Sequence, residues 1–117
     1  MLQLDSDDEA LLELLDDEYA RIIIVETYRE PRSANALSTA CEADPSTVYR
    51  RIDRLQDRGL LEAKQRLDPD GHHYKEYSAR LEHVGIDVTN DGLDVDVEYV
   101  EAEAADTFTR LYEELSG

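Results

Sequence analysis

The 117-residue chain carries 29 Asp and Glu against 12 Lys and Arg, a formal charge of −17, and 41% of its residues are hydrophobic. That hydrophobic content belongs to a globular protein, so the charge does not signal disorder, and the length gives one compact core. No apolar run of about 18 residues is present, which excludes a transmembrane helix. MLQLDSDDEA has neither the basic nor the apolar region of a secretion signal, and a lone Cys41 excludes an internal disulfide. A cytoplasmic location is the expectation.

Taken in order, Ser6-Asp7-Asp8-Glu9 fits a capping box, with Ser6 at the N-cap of a short helix through Leu11, Leu12, Leu14 and Leu15. Asp16 is placed to cap a second helix, largely buried through Tyr19, Ile22, Ile23 and Val25, that ends near Tyr28 before Pro31. Ser33 caps a third over Ala34–Cys41, and the turn Glu42-Ala43-Asp44 leads to a strong start, Asp44 at N-cap and Pro45 at N1. Gly59 closes this fourth helix at C′. Two helices joined by so short a turn form a helix-turn-helix pattern.

After Gly59 the apolar period changes from 3.6 to 2. Leu61–Asp68, a Pro69-Asp70-Gly71 turn and His73–Leu81 read as a charged hairpin in the position of a wing. A second hairpin follows, with Ile86 and Val88, the turn Asn90-Asp91-Gly92, then Leu93, Val95 and Val97. Val100–Leu115 reads as a helix whose Ala104, Phe108, Leu111 and Leu115 recur at spacings of 4, 3 and 4, the pattern of a dimer seam. The expected fold is therefore α+β. It is a winged helix-turn-helix with an extra β-hairpin over residues 1–99, and a C-terminal dimerisation helix over residues 100–117.

The scarce cations are concentrated. Residues 44–80 hold eight of the twelve basic residues against seven acids, a net +1, while the rest of the chain carries −18. On a helical wheel Val48, Ile52 and Leu55 form a core stripe, and Arg50, Arg51, Arg54, Arg58 and Thr47 form one continuous arc. Asp53 and Asp57 lie on the opposite flank. Like charges at i, i+4 and i, i+8 destabilise a helix unless a polyanion lies alongside, so double-stranded DNA is the implied partner. Ser46, Thr47, Tyr49 and Arg50, in the first turns, are placed to read base edges. Arg51, Arg54 and Arg58 are placed to hold phosphates, with Arg54 able to do either. Lys64, Arg66 and Lys75 on the hairpin are candidates for phosphate or the minor groove.

The order of elements, STVYRRIDRLQDRGLLE, and a charged hairpin around DPDG resemble the winged-helix transcription regulators of the ArsR/MarR/PadR type. The likeness covers residues 16–81. Acids in every segment, with Lys only twice beside ten Arg, resemble haloarchaeal proteins, and the DEYAR helix is similar to regulators of that group, oxidative-stress regulators among them. The resemblance implies a homodimer on a pseudo-palindromic operator, working in molar KCl. Asp53, Asp57, Glu62, Asp68 and Asp70 near the arginine arc would then take up K⁺ between protein and phosphates, flattening the salt dependence. The paired cysteines of metal-sensing members are missing, so that function does not carry over.

Cys41 shares a face with Leu37 and reads as a buried hydrophobe rather than a redox switch. His72 and His73, near Asp70, point to opposite faces of a strand and so make no metal site. No nucleophile, P-loop, HExxH or cofactor motif occurs, and neither an enzyme nor a bound cofactor or metal is expected. The alternative from another class is a winged-helix protein-interaction module of a basal transcription or chromatin complex, which needs neither a dimer seam nor sequence selectivity.

Overall fold

The computed structural model describes residues 4–101. They form four helices, α1 (Ser6–Asp16), α2 (Glu18–Arg29), α3 (Ala34–Cys41) and α4 (Pro45–Asp57), and five strands, β1 (Arg32–Ser33), β2 (Leu61–Leu67), β3 (His73–Ala79), β4 (Leu81–Thr89) and β5 (Gly92–Tyr99). Both sheets are antiparallel, a three-stranded one in the order β1-β3-β2 and a separate β4-β5 hairpin. The architecture is α+β and compatible with a winged helix.

Local chemistry sets the helix starts. The Asp5 carboxylate accepts from the Asp8 N–H at 2.8 Å, the Asp17 carboxylate from Ala20 N–H at 2.8 Å, and Ser33 Oγ from Ala36 N–H at 3.2 Å. Two caps thus differ by one residue from the sequence expectation, Asp5 replacing Ser6 and Asp17 replacing Asp16. Each start lies in a run of several competent cap residues. Packing chooses among them, because these registers bury Leu11 and Leu14 on α1 and Ala20 and Ile23 on α2. Val25 was expected inside but is 49% exposed; Thr27 takes the inward position instead, its hydroxyl donating to Ile23 O at 2.6 Å. The α3 and α4 starts fall where the sequence puts them, and Asp44 makes no side-chain cap bond.

Gly59 ends α4 with φ +72°, a left-handed conformation that costs a residue with a Cβ about 1 kcal/mol or more. The Gly59 N–H donates to Gln56 O at 2.9 Å and the Leu60 N–H to Leu55 O at 2.9 Å, a Schellman closure that places two buried leucines against each other. Leu60 and Leu61 carry the chain straight into β2. Helices α2, α3 and α4 close over the base of the three-stranded sheet, with Ile23, Leu37, Val48, Ile52, Leu55 and Tyr77 in one core.

Two boundaries move. β3 ends at Ala79, because Arg80 turns to donate its N–H to Leu60 O at 2.8 Å, and Leu81 opens β4 instead. β4 and β5 reach further back than their alternation suggested, pairing from Leu81↔Tyr99 to Thr89↔Gly92 with a bulge at Leu81/His83. Val100 was expected to begin a helix but is non-helical, its N–H donating to Arg80 O at 2.6 Å. Ala104, Phe108, Leu111 and Leu115, the expected dimer seam, lie outside the described residues. Among the described residues no helix is long and apolar enough to cross a membrane.

Asp17 does two jobs, capping α2 and accepting two bonds from Arg51 of α4 at 3.0 Å each. The Arg51 hydrogen bonds hold its carboxyl below the ordinary 3.8 despite some desolvation. With the folded-state pKa depressed, the contribution to stability is complete above that ordinary value and is lost as pH falls through the folded one. Asp17→Asn, which keeps a competent cap, should cost about 1–2 kcal/mol at neutral pH, since both side chains are about one-fifth exposed. Asp17→Ala should cost about 1 kcal/mol more. In urea melts, the gap between wild type and Asp17→Asn closes at acid pH while the gap between the two variants persists.

Candidate nucleic-acid interface

The core stripe fixes how α4 is rolled. Val48, Ile52 and Leu55 are fully buried, so Ser46, Tyr49, Arg50, Asp53, Arg54 and Asp57 are exposed, with Thr47, Arg51 and Arg58 half-buried beside them. Arg50, Arg54 and Arg58 make no hydrogen bond or ion pair with any described residue. Arg51 differs from its neighbours. Its guanidinium grips Asp17 and lies 5.7 Å from the centroid of the Tyr19 ring, and the Asp17 hydrogen bonds raise its pKa further. Arg51, expected to hold phosphate, is engaged by Asp17 within the chain. The wheel places it at the inner margin of the arc, and what it meets there, the N-terminus of α2, is visible only in three dimensions.

The β2–β3 register also divides residues that the sequence grouped. Cross-strand partners share a face. Lys64↔Glu76 and Arg66↔Tyr74 lie on one face, whereas Gln65↔Lys75 and Ala63↔Tyr77 lie on the other, the face that carries the buried Tyr77. Arg66 is paired with Glu76 at 2.9 Å, and Lys64 also has a partner. Lys75 stands on the helix side, without such a pair. Of the three hairpin cations, it is the one turned toward α4.

Two grooves flank α4. One, of about 350 Å³, is lined by Ser33, Ala34, Asn35, Tyr49, His73, Tyr74, Lys75 and Tyr77, so the start of α3, the first turns of α4 and β3 meet there. It gathers an amide, an imidazole, a lysine and the Tyr49 ring, which is 48% exposed; the neighbouring Tyr74 belongs to the opposite face of β3. Asn35 and Tyr74 were not singled out in the sequence. Asn35 follows the Ser33 cap by two residues, and that exposed first turn of α3 was the available signal. The second groove, of about 490 Å³, is lined by Asp7, Ala10, Leu14, Arg54, Asp57 and Arg58. Here the arginines face acids. The nearby Asp8 carboxyl is pushed up by partial desolvation and by Asp5, Asp7 and Asp94, with Arg58 opposing.

The tip of the β2–β3 hairpin brings Asp68, Asp70 and His72 together, with one ligand-type atom from each within 4.8 Å of the others. Of the residues weighed in the sequence, His72 and Asp70 converge, with Asp68 as the third, and His73 does not. Asp68 Oδ1 accepts the Asp70 N–H at 2.9 Å and the His72 N–H at 2.8 Å, so turn geometry accounts for this exposed cluster. Cys41 is 6% exposed, and burial pushes its thiol up, away from the reactive thiolate.

In comparisons with known proteins, no family model matches the chain and no curated protein matches it.

The two classes of arginine on α4 separate in stability. Arg51→Ala should cost about 1–3 kcal/mol, because it strands a half-buried Asp17. Arg50→Ala and Arg54→Ala should stay within about 0.5 kcal/mol of wild type. Urea denaturation of the three variants under one salt condition measures the difference.

Proposed function

We propose that the chain is a winged helix-turn-helix transcription regulator that binds a pseudo-palindromic DNA operator as a homodimer in a high-salt cytoplasm. The observation that carries this reading is the outer side of α4 and its C-cap, where Arg50, Arg54 and Arg58 make no ion pair with any described residue in a chain of charge −17. Acids are abundant enough to neutralise every cation, as they do for Arg32, Arg51, Arg66 and Arg80. Three arginines spaced four apart, near acids but in an ion pair with none of the described residues, suit a surface that meets phosphates. A module using α4 only for protein contact has no need of that spacing.

On this reading α3 and α4, joined through Glu42–Asp44, are the helix-turn-helix and β2–β3 is the wing. Ser46, Thr47, Tyr49 and Arg50 enter the major groove, where an arginine bidentate to guanine contributes about 1–3 kcal/mol of discrimination. Arg54 and Arg58 hold the phosphate register. Lys75, with His73 on the same face of β3, reaches the backbone across the smaller groove. Arg50→Ala should relax selectivity at one operator position, whereas Arg58→Ala should weaken all sequences about equally. Anisotropy titrations against operator and scrambled duplexes test this. Equal losses on both duplexes for both variants would sink the division of roles.

Salt dependence supplies a second test. Each phosphate neutralised contributes a log–log slope of about −0.9, so four unpaired cations set a limit near −4 per protomer. Asp53 and Asp57 stand exposed among the arginines. Cations taken up between them and the phosphates offset those released, so the measured slope is expected to be shallower than that limit. The sequence also suggested Glu62 for this role, but Glu62 lies 3.8 Å from Arg80, on the strand instead. Asp53→Asn combined with Asp57→Asn should steepen the slope, read as operator affinity across KCl concentrations. An unchanged slope would refute cation uptake and leave DNA binding standing.

A further inference from the structure

The β4–β5 hairpin has one charged face and one apolar face, and its register shows which residues share each. Val84↔Val97, Ile86↔Val95 and Val88↔Leu93 lie on one side. His83↔Glu98, Gly85↔Asp96 and Asp87↔Asp94 lie on the other. At the base, Val84, Val95 and Val97 pack against the core. Toward the tip nothing among the described residues covers the apolar face, and Ile86 is 50%, Val88 84% and Leu93 37% exposed. A lone two-stranded hairpin is marginal in water and needs a covering layer.

We infer that a second copy of this chain supplies that layer, the two hairpins packing apolar face to apolar face about a two-fold axis. The charge distribution selects this occupant. Two chains of −17 repel each other, and they meet at least cost through a patch that carries no carboxylate. The uncovered part of the apolar face is formed by Ile86, Val88 and Leu93, while its reverse carries Asp87, Asp94, Asp96 and Glu98. A basic partner would be drawn to that acidic reverse face and finds no counter-charge on this one. A second copy brings the same uncharged residues, and an isologous contact needs a surface complementary to itself. Facing hairpins would stack about 10 Å apart, with their acidic reverse faces turned outward to solvent. The inference places the dimer seam on the hairpin and not on the C-terminal stripe. It rests on the proposed function only for what the dimer serves.

The test uses the full-length chain in molar KCl. Light scattering should give twice the 13.4 kDa chain mass for wild type, and half that value for Ile86→Asp combined with Val88→Asp. Both residues are at least half exposed, so a wild-type circular dichroism spectrum with a cooperative urea transition shows that the variant is folded, its midpoint lowered only by the lost association. Asp87→Ser, on the reverse face, should remain dimeric, as should Leu111→Asp. A monomeric wild type, or a folded hairpin variant that stays dimeric, overturns the inference. So does a monomeric Leu111→Asp beside a dimeric hairpin variant, which moves the seam to the C-terminal segment. Operator selectivity is a separate measurement: a dimeric hairpin variant that still selects operator leaves the proposed DNA binding intact, and a wild type dimerised through the hairpin but blind to DNA sequence sinks only that proposal.

Discussion

The Asp17 carboxylate joins three parts of the chain at one point. It accepts the Ala20 N–H that starts α2 and both guanidinium donors of Arg51, whose plane lies near Tyr19. Two half-buried charges are screened less than exposed ones, so this contact keeps its strength in salt that would erase a surface pair. The contrast with Arg29–Glu26 at 3.9 Å and Arg80–Glu62 at 3.8 Å, longer and more exposed, is one of geometry as well as burial. Pinning Arg51 also fixes the roll of α4. The buried Val48–Ile52–Leu55 stripe already turns Arg50 and Arg54 outward, and the ion pair secures the same roll from the flank.

The same division runs through the other cations. Arg32 sits between Glu26 and Glu30 where β1 meets β3, and Arg66 is tied to Glu76. These arginines hold the ends of α2 and the arms of the hairpin. Among the described residues, the cations with neither an ion pair nor a hydrogen bond are a short row on α4 and Lys75 across a groove from Tyr49, Arg21 being held by the Leu15 and Asp16 carbonyls. The presence of a cation in a basic segment therefore says little about its use. Whether a carboxylate has already claimed it decides the matter, as it does for Arg29, Arg32, Arg51, Arg66 and Arg80.

Much of this was legible in the sequence, for reasons that differ by element. α3 and α4 were read to the residue because Ser33, Asp44-Pro45 and Gly59 are unambiguous punctuation, and the Val48–Ile52–Leu55 stripe was the single apolar line available. The first two helix starts were off by one because runs such as Asp16-Asp17 offer equivalent caps, and tertiary packing chooses between them. β1 was missed because two residues have no period. Arg51 and the split of Lys75 from Lys64 and Arg66 were beyond reach for a shared reason. A one-dimensional pattern gives the face of an element and cannot give what that face meets.

The links between elements bear on how a second copy would be felt at α4. Arg80 is the joint between the two hairpins: its N–H is held by Leu60 O, its carbonyl accepts the Val100 N–H, and its guanidinium lies near Glu62 of β2. Leu60 is in turn bonded to Leu55 by the closure of α4 at Gly59. A continuous series of backbone bonds therefore runs from the base of β4–β5 to the C-terminal end of α4, with no flexible linker between them. Seating one hairpin on another would fix the distance and angle between two α4 helices. An operator whose half-sites lie one helical turn apart, about 34 Å, demands that kind of constraint. A dimer joined through a loose tether would leave the spacing to chance, whereas one joined through β4–β5 would have it set by the same bonds that end α4.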